Sequence, residues 1–326
     1  MSQVDLPSST QIVRLTSAPS FLKRGLMKSS PSKRRPFWGF GLLVLFVGLI
    51  AQVNGHAQAH TQVQTQAITP AQRHGLDQGH PPISTEGPGW LAPEERKSGL
   101  SFKSEDLKEQ QSDDAINPSF LWVDQGEKMW SATPTPKSPS CASCHGEASK
   151  SMKGVALKYP RWNEASQQLV NLEWQINSCR VKRQDAQALA YESDELLALT
   201  AWVSLASRGM PSQRTIDPSI AASFLRGKNL YEKRIGQNNL SCAHCHTEHY
   251  SQRLGGETIS QGQPHAYPAY RLEWQKMGSL QRRLRACLSG VKAVIFPFGS
   301  QELTELELYL QLRGQGLAME APGVRR

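Results

Sequence analysis

A mainly α-helical protein, built as two tandem copies of one domain, is the fold class the sequence predicts, and three observations predict it. The pattern C-x-x-C-H occurs twice, as CASCH at 141–145 and CAHCH at 242–246. Further residues recur in the same order around both copies. The segments between them carry apolar residues at mixed three- and four-residue spacing, the periodicity of a helix with one buried face.

The N-terminal elements come first. Lys33, Arg34 and Arg35 precede a 15-residue apolar run from Phe37 to Ala51, and Ala57-Gln58-Ala59 follows it. A basic region, a short apolar core and small residues at a cleavage point make a secretory signal. The run is shorter than the ~20 residues a membrane-spanning helix needs. Residues 1–59 are therefore expected to be a cleaved signal peptide and the mature protein to be periplasmic; a start at Met27 gives a signal of more ordinary length. Residues 60–98 are rich in Gln, Thr, Pro and Gly without apolar periodicity, and are expected to be a flexible linker or arm. The chain of 326 residues carries a formal charge of +9, but residues 1–59 hold seven Lys/Arg and one acid. Without them 30 basic and 27 acidic residues remain, or +3. That balance gives no case for nucleic-acid binding.

Two domains are expected next, 99–212 and 213–326. Gly126-x-x-x-Trp130 and Gly227-x-x-x-Tyr231 each begin 15 residues before the first cysteine of their motif. Tyr159-Pro160 matches Tyr267-Pro268, and Cys179 matches Cys287, at an offset of 108. Glu195-Leu196, Leu199 and Trp202 match Glu302-Leu303, Leu306 and Tyr309 at 107. Ordered matches with one large indel describe a duplication. Helices are expected over 120–130, 193–206, 222–233 and 300–312. Ser193 and Ser300, each followed by acids, cap two of them. Gly209, and Gly314 or Gly316, end them. Each half then reads helix, CxxCH, loop, Cys, helix. This is the order of a class I cytochrome c domain, in which the terminal helices cross. Gly126 is expected to meet Trp202 at one crossing, and Gly227 to meet Tyr309 at the other.

CxxCH in an exported chain is a c-type haem attachment signal. Cys141 and Cys144, and Cys242 and Cys245, are spaced to form thioethers to two haems, with His145 and His246 as proximal iron ligands. Zinc would need four converging ligands, with a second C-x-x-C nearer than a hundred residues. A redox dithiol would need a βαβ setting. Six cysteines permit three disulfides by parity, but the histidines at fixed offset argue against that. The distal ligand of a class I domain lies just before the last helix. Cys179 and Cys287 hold that place in both halves, whereas Met152, Met210 and Met277 do not correspond between the halves. The two cysteines are therefore read as thiolate axial ligands; a Cys179–Cys287 disulfide or two buried free thiols are the alternatives. A thiolate ligand stabilises ferric iron and lowers the potential. The two surroundings differ. Arg282, Arg283, Arg285 and Lys292 flank Cys287, and Arg283 lies four residues before it, on the same helical face. Gln175 holds that place before Cys179. Basic groups lower a thiol pKa and attract anions, and an arginine fork suits an oxyanion.

With these residues in hand, the chain resembles the SoxA family, the dihaem subunits of SoxAX cytochromes of bacterial sulfur oxidation. The likeness runs from SGLSF (98–102) through NPSFLWVDQGEKMW, CASCH, NSCR, SRGMP, CAHCH and RRLRACLSG to GLAMEAPGVRR at 316–326. CxxCH is generic; the Cys287 surroundings and the closing EAPGVRR are more specific. The resemblance implies an L-cysteine S-thiosulfotransferase with two covalent haem c groups and a SoxX-type monohaem cytochrome as partner in a heterodimer. It implies that thiosulfate is conjugated oxidatively to a cysteine of the SoxYZ carrier protein, with electrons passing to an acceptor cytochrome c. It further implies Cys287, as persulfide or thiolate, for the catalytic role and Arg283 for substrate binding. A dihaem electron-transfer cytochrome without substrate, a dihaem peroxidase and a disulfide-stapled binding protein are the rival classes.

Overall fold

The computed structural model describes residues 90–326. The expected signal peptide, and the expected arm as far as residue 89, lie outside the described residues. Residues 90–98, assigned above to the arm, are packed rather than free. The Trp90 ring meets Phe224 and Tyr309 edge-on at 6.1 and 6.2 Å, and Arg96 donates to the Gln315 carbonyl at 2.6 Å.

The first repeat runs α1 (Glu105–Ser112), α2 (Phe120–Ser131), α3 (Cys141–His145), α4 (Ala148–Ser151), the hairpin β1 (Arg161–Asn163) and β2 (Gln168–Val170), α5 (Leu172–Arg183) and α6 (Asp194–Leu205). The second runs α7 (Pro218–Glu232), a π-helical turn at His244–Glu248, the hairpin β3 (Arg253–Leu254) and β4 (Glu257–Thr258), the hairpin β5 (Ala269–Arg271) and β6 (Lys276–Gly278), α8 (Leu280–Gly290), α9 (Gln301–Arg313) and β7 (Gly323–Arg325).

The duplication extends to backbone detail. Hydroxyls of Ser140 and Ser241 accept from the amides of Ser143 and His244 at the start of each CxxCH turn, both at 3.0 Å. Ser193 and Ser300 accept from Leu196 and Leu303, both at 3.3 Å. Each bond satisfies an orphan donor in a helix's first turn. Hairpins β1–β2 and β5–β6 both turn through a Gln with positive φ, Gln167 at 52° and Gln275 at 50°.

The four expected helices form within a few residues of their expected bounds, and both expected crossings are present. A Cβ on Gly126 would stand 2.2 Å from the Ala198 carbonyl oxygen and 2.8 Å from Trp202 Cβ. On Gly227 it would stand 2.1 Å from the Glu305 oxygen and 3.0 Å from Tyr309 Cβ. Only glycine lets the two backbones approach so closely. Gly314 caps α9 as expected, whereas α6 ends at Leu205, before Gly209.

Two helices outside the four expected ones, α5 and α8, carry Cys179 and Cys287. The N-caps Asn171 and Ser279 were legible signals: their side chains accept from Trp174 and Arg282. The polar faces of LEWQINSCRVKR and LQRRLRACLSG hid the apolar spacing.

The described residues belong to one unit, and the chain knits its halves together. Leu169 of β2 is buried in the second repeat's core, and Gln301 donates to its carbonyl at 3.1 Å. The C-terminal tail crosses back: Met319 and Ala321 join the first repeat's core, and Met319 donates to the Met210 carbonyl at 2.9 Å. Strand β7 then pairs in parallel with β5, Arg325 in register with Arg271. Helix α9 is consequently buried on every side from Leu303 to Arg313. Among the described residues no helix is long and apolar enough to cross a membrane.

At this junction Glu173 of α5 and Glu307 of α9 line one small cavity with Asn171, Thr200 and Gln311. Burial pushes the Glu173 carboxyl up to about 7. Burial, then the Glu173 charge, raises Glu307 well above the usual carboxylate range. Such groups bind protons in the fold that the unfolded chain has already released. Their charging therefore costs stability progressively as pH rises from about 4.5 through 7. Glu307→Gln is expected to match the wild type in unfolding free energy at pH 5 and to exceed it at pH 8, by on the order of 2 kcal/mol. Parallel pH profiles of the two proteins would refute this.

Candidate functional site

The second CxxCH turn is held from several sides. His246 Nδ1 donates to the Ser260 carbonyl at 2.7 Å, which leaves the ring's Nε2 for its other partners. Gly262, at φ +71°, lies against the ring; a Cβ there would be 2.9 Å from His246 Cγ. Arg313 is fully buried beneath the turn and donates to His246 O at 3.0 Å, Thr247 Oγ1 at 3.1 Å and Gln261 O at 2.6 Å.

Helix α8 brings Cys287 into this setting. Burial pushes the Cys287 thiol up, but a hydrogen bond with His246 and the charges of Arg283, His246 and Arg271 outweigh it and bring the thiol down to about 7. The Cys287 sulfur in turn holds the Arg283 guanidinium above its ordinary range. The attachment cysteines behave oppositely: burial and the Cys287 charge push Cys242 up to about 12 and raise Cys245. Of the three sulfurs here, only Cys287 is drawn toward the thiolate. The neighbouring basic residues separate as well. Arg282 stacks on Trp274 at 4.3 Å and faces Glu192 at 3.9 Å. Arg285 lies over Phe298 at 4.2 Å and donates to the Phe296 carbonyl. Arg283 is the member of the run that interacts with the sulfur.

Sequence reasoning missed Arg271. It is buried, lies on β5 far from Cys287 in the chain, and is held by Glu273 at 2.8 Å. Its in-register neighbour Arg325, also buried, pairs with Glu320 and donates to Gln111. The distinctive VRR ending was the available signal; the parallel pairing of β5 and β7 was not visible in it.

The first repeat is arranged more openly. Cys141 and Cys179 are half-buried, while Cys144 and His145 are exposed. The Trp130 ring lies 5.7 Å from the His145 ring, and its Nε1 donates to the Gly146 carbonyl at 2.9 Å. Gln184 donates to the Cys141 sulfur at 3.7 Å, and burial, the larger effect, raises that thiol. Gln175 Nε2 donates to Cys179 Sγ at 3.4 Å, where the second repeat has Arg283. No disulfide joins any of the six cysteines, so the Cys179–Cys287 bridge is not formed.

These donor sets fit covalent haem. In the second repeat two thiols one turn apart adjoin an imidazole of fixed tautomer, with a further sulfur in hydrogen-bonding contact across from it. In the first, two thiols and an imidazole share one helical turn, and Cys179 acts electrostatically on Cys141.

Comparison with known proteins places this arrangement. Residues 125–212 and 226–319 match the family "SoxA/TsdA, cytochrome c domain". Among curated relatives, the L-cysteine S-thiosulfotransferase subunit SoxA of Pseudaminobacter salicylatoxidans is 35% identical over 234 residues, 72% of this chain and 82% of the relative. The subunit of the same name from Rhodovulum sulfidophilum is 33% identical, over 71% of this chain and 81% of its own. The crystal structure of SoxXA from P. pantotrophus superposes with a TM-score of 0.68 at 34% identity, over 71% of this chain and 87% of the other.

Proposed function

The chain belongs to the SoxA/TsdA cytochrome c family, and on that premise we propose that it is the dihaem subunit of an L-cysteine S-thiosulfotransferase. Its substrates are thiosulfate and the cysteine of a SoxYZ-type carrier, its partner is a SoxX-type monohaem cytochrome, and an acceptor cytochrome c takes the electrons. The reaction joins a carrier thiol R–SH to thiosulfate, ⁻S–SO₃⁻, giving R–S–S–SO₃⁻, one proton and two electrons. The single observation that carries the reading is Cys287, in contact with His246 and with Arg283 one turn away.

Each residue has a task in this scheme. Arg283, supported by Arg271, concentrates and orients the dianion at the sulfur. Cys287, drawn toward the thiolate, is the sulfur through which thiosulfate passes to the carrier by thiol exchange. Cys242, Cys245, His246 and Cys287 would hold a haem, which when bound would supply a one-electron acceptor beside that sulfur. The second electron requires a second acceptor, for which a SoxX-type partner is suited. Cys141, Cys144, His145 and Cys179 would hold the other haem. Gln175 there offers no cation to an anionic substrate, so substrate chemistry belongs to the second repeat. The basic and apolar N-terminal segment supports export to the periplasm, which the intact mass of the mature protein tests directly.

Arg283→Ala is expected to raise the KM for thiosulfate about ten- to a hundredfold, the loss of one charge-assisted contact of about 1.5–3 kcal/mol. Arg283→Lys should recover part of it, since a point charge replaces a fork. An unchanged KM for thiosulfate in Arg283→Ala would remove arginine capture from the scheme.

A further inference from the structure

The outer face of the second CxxCH turn carries a feature that the proposed reaction does not use. His244, Glu248 and His249 each offer one ligating atom, and these atoms all lie within 4.8 Å of one another. His244 Nδ1 is 3.1 Å from Glu248 Oε2, and the two imidazole centroids are 4.6 Å apart. His249 Nδ1 donates to the His244 carbonyl at 2.6 Å, which sets that ring's tautomer and leaves its Nε2 lone pair unused. A ring so anchored through one nitrogen is the usual state of an imidazole ligand.

The backbone explains why these residues meet. In an α-helix, residues five apart point about 140° away from each other. Residues 244–248 instead form a π turn, whose wider repeat places i and i+5 on one face. His244 and His249 are such a pair, and Glu248 is the i+4 neighbour of His244. The first repeat serves as an internal comparison. Its CxxCH turn is α-helical, and Ser143, Glu147 and Ala148 stand at the equivalent places. Glu147 there pairs with Lys150. The second repeat thus differs in its two imidazoles and in the turn that aligns them.

We propose that His244, Glu248 and His249 form a separate, non-haem metal site for an exchangeable divalent cation of the zinc class. Two imidazoles and one carboxylate are a donor set for such ions, with the fourth position left to water or an outside ligand. The histidines are half-buried and Glu248 is exposed, so the cation enters from solvent. The site lies on the same turn as Cys245 and His246 and is independent of the thiosulfotransferase reading.

The test uses the full-length exported holoprotein, stripped with chelator and dialysed against Zn²⁺ at about 10 μM free metal. Zinc is counted by elemental analysis, and haem absorbance per chain verifies that each protein is intact. Histidines of the N-terminal arm, His60, His74 and His80, are a background that the variants subtract. The wild type is expected to hold one zinc more than His249→Gln, and Glu248→Gln to bind that zinc at least about tenfold more weakly. Glu248, exposed and outside the haem motif, carries the test if His249→Gln loses haem. Equal zinc content and affinity in the wild type and in both haem-replete variants would overturn the proposal, as would the absence of bound zinc in the wild type.

Discussion

Under the proposed function, Cys287→Ala is expected to lower thiosulfate-dependent, carrier-dependent reduction of an acceptor cytochrome by three orders of magnitude or more, while the proposed haems remain attached. The size follows from what removal of a reacting group costs in other covalent mechanisms. Retention of haem follows on the proposed reading, in which Cys141, Cys144, Cys242 and Cys245 would form the attachments and the alanine touches none of them. If Cys287 is an iron ligand as proposed, a spectral change confined to one haem should accompany the loss, since Cys179 stays in place. Cys287→Ser, which keeps the side chain's size, separates sulfur chemistry from packing and should be equally inactive. Haem-replete Cys287→Ala with ordinary turnover would reduce the protein to an electron carrier and sink the enzymatic reading.

The largest stability effect is expected from Gly227→Ala. The added carbon would stand 2.1 Å from the Glu305 oxygen and 2.7 Å from its carbonyl carbon, both backbone atoms of α9. Backbone cannot step aside as a side chain can, so α7 and α9 must separate. Alanine gains about 1 kcal/mol in helix propensity over glycine. Prising apart a close-packed crossing costs more than that, because it also loosens Phe224, Tyr231 and Tyr309 in the core between the helices. A net loss of about 3 kcal/mol, or roughly 6–12 °C in melting temperature, is expected. Gly126→Ala should behave alike, its carbon falling 2.2 Å from the Ala198 oxygen. Gly290→Ala is the control: at the end of α8 an added carbon meets nothing within 4 Å. It should be neutral or slightly stabilising. If Gly227→Ala melts with the wild type, the crossing is looser than its geometry implies.

Legibility in the sequence followed the range of the interaction. CxxCH places two sulfurs and an imidazole on one turn by local geometry alone, and the glycine–aromatic pairs announced both crossings because a duplication writes each of them twice. Arg283 was legible because it lies one turn from Cys287. Arg271 was not, since its approach depends on a hairpin that brings β5 to α8. The π turn was invisible too: His244 and His249 point apart on an α-helical reading, and only the wider turn aligns them.

The sequence alone determined the two-domain helical plan and the two haem-binding motifs, which rest on spacings of five residues or fewer or on one repeat; the role proposed for Cys287 rests on the family resemblance. Tertiary structure decided which arginines surround that sulfur, how the C-terminal tail joins the first repeat's core, and where Glu173 and Glu307 meet. Those features join residues from 16 positions apart, as for Arg271 and Cys287, to more than a hundred. Such contacts form because buried surface and paired strands offset the entropy of closing long loops, and no local periodicity encodes them.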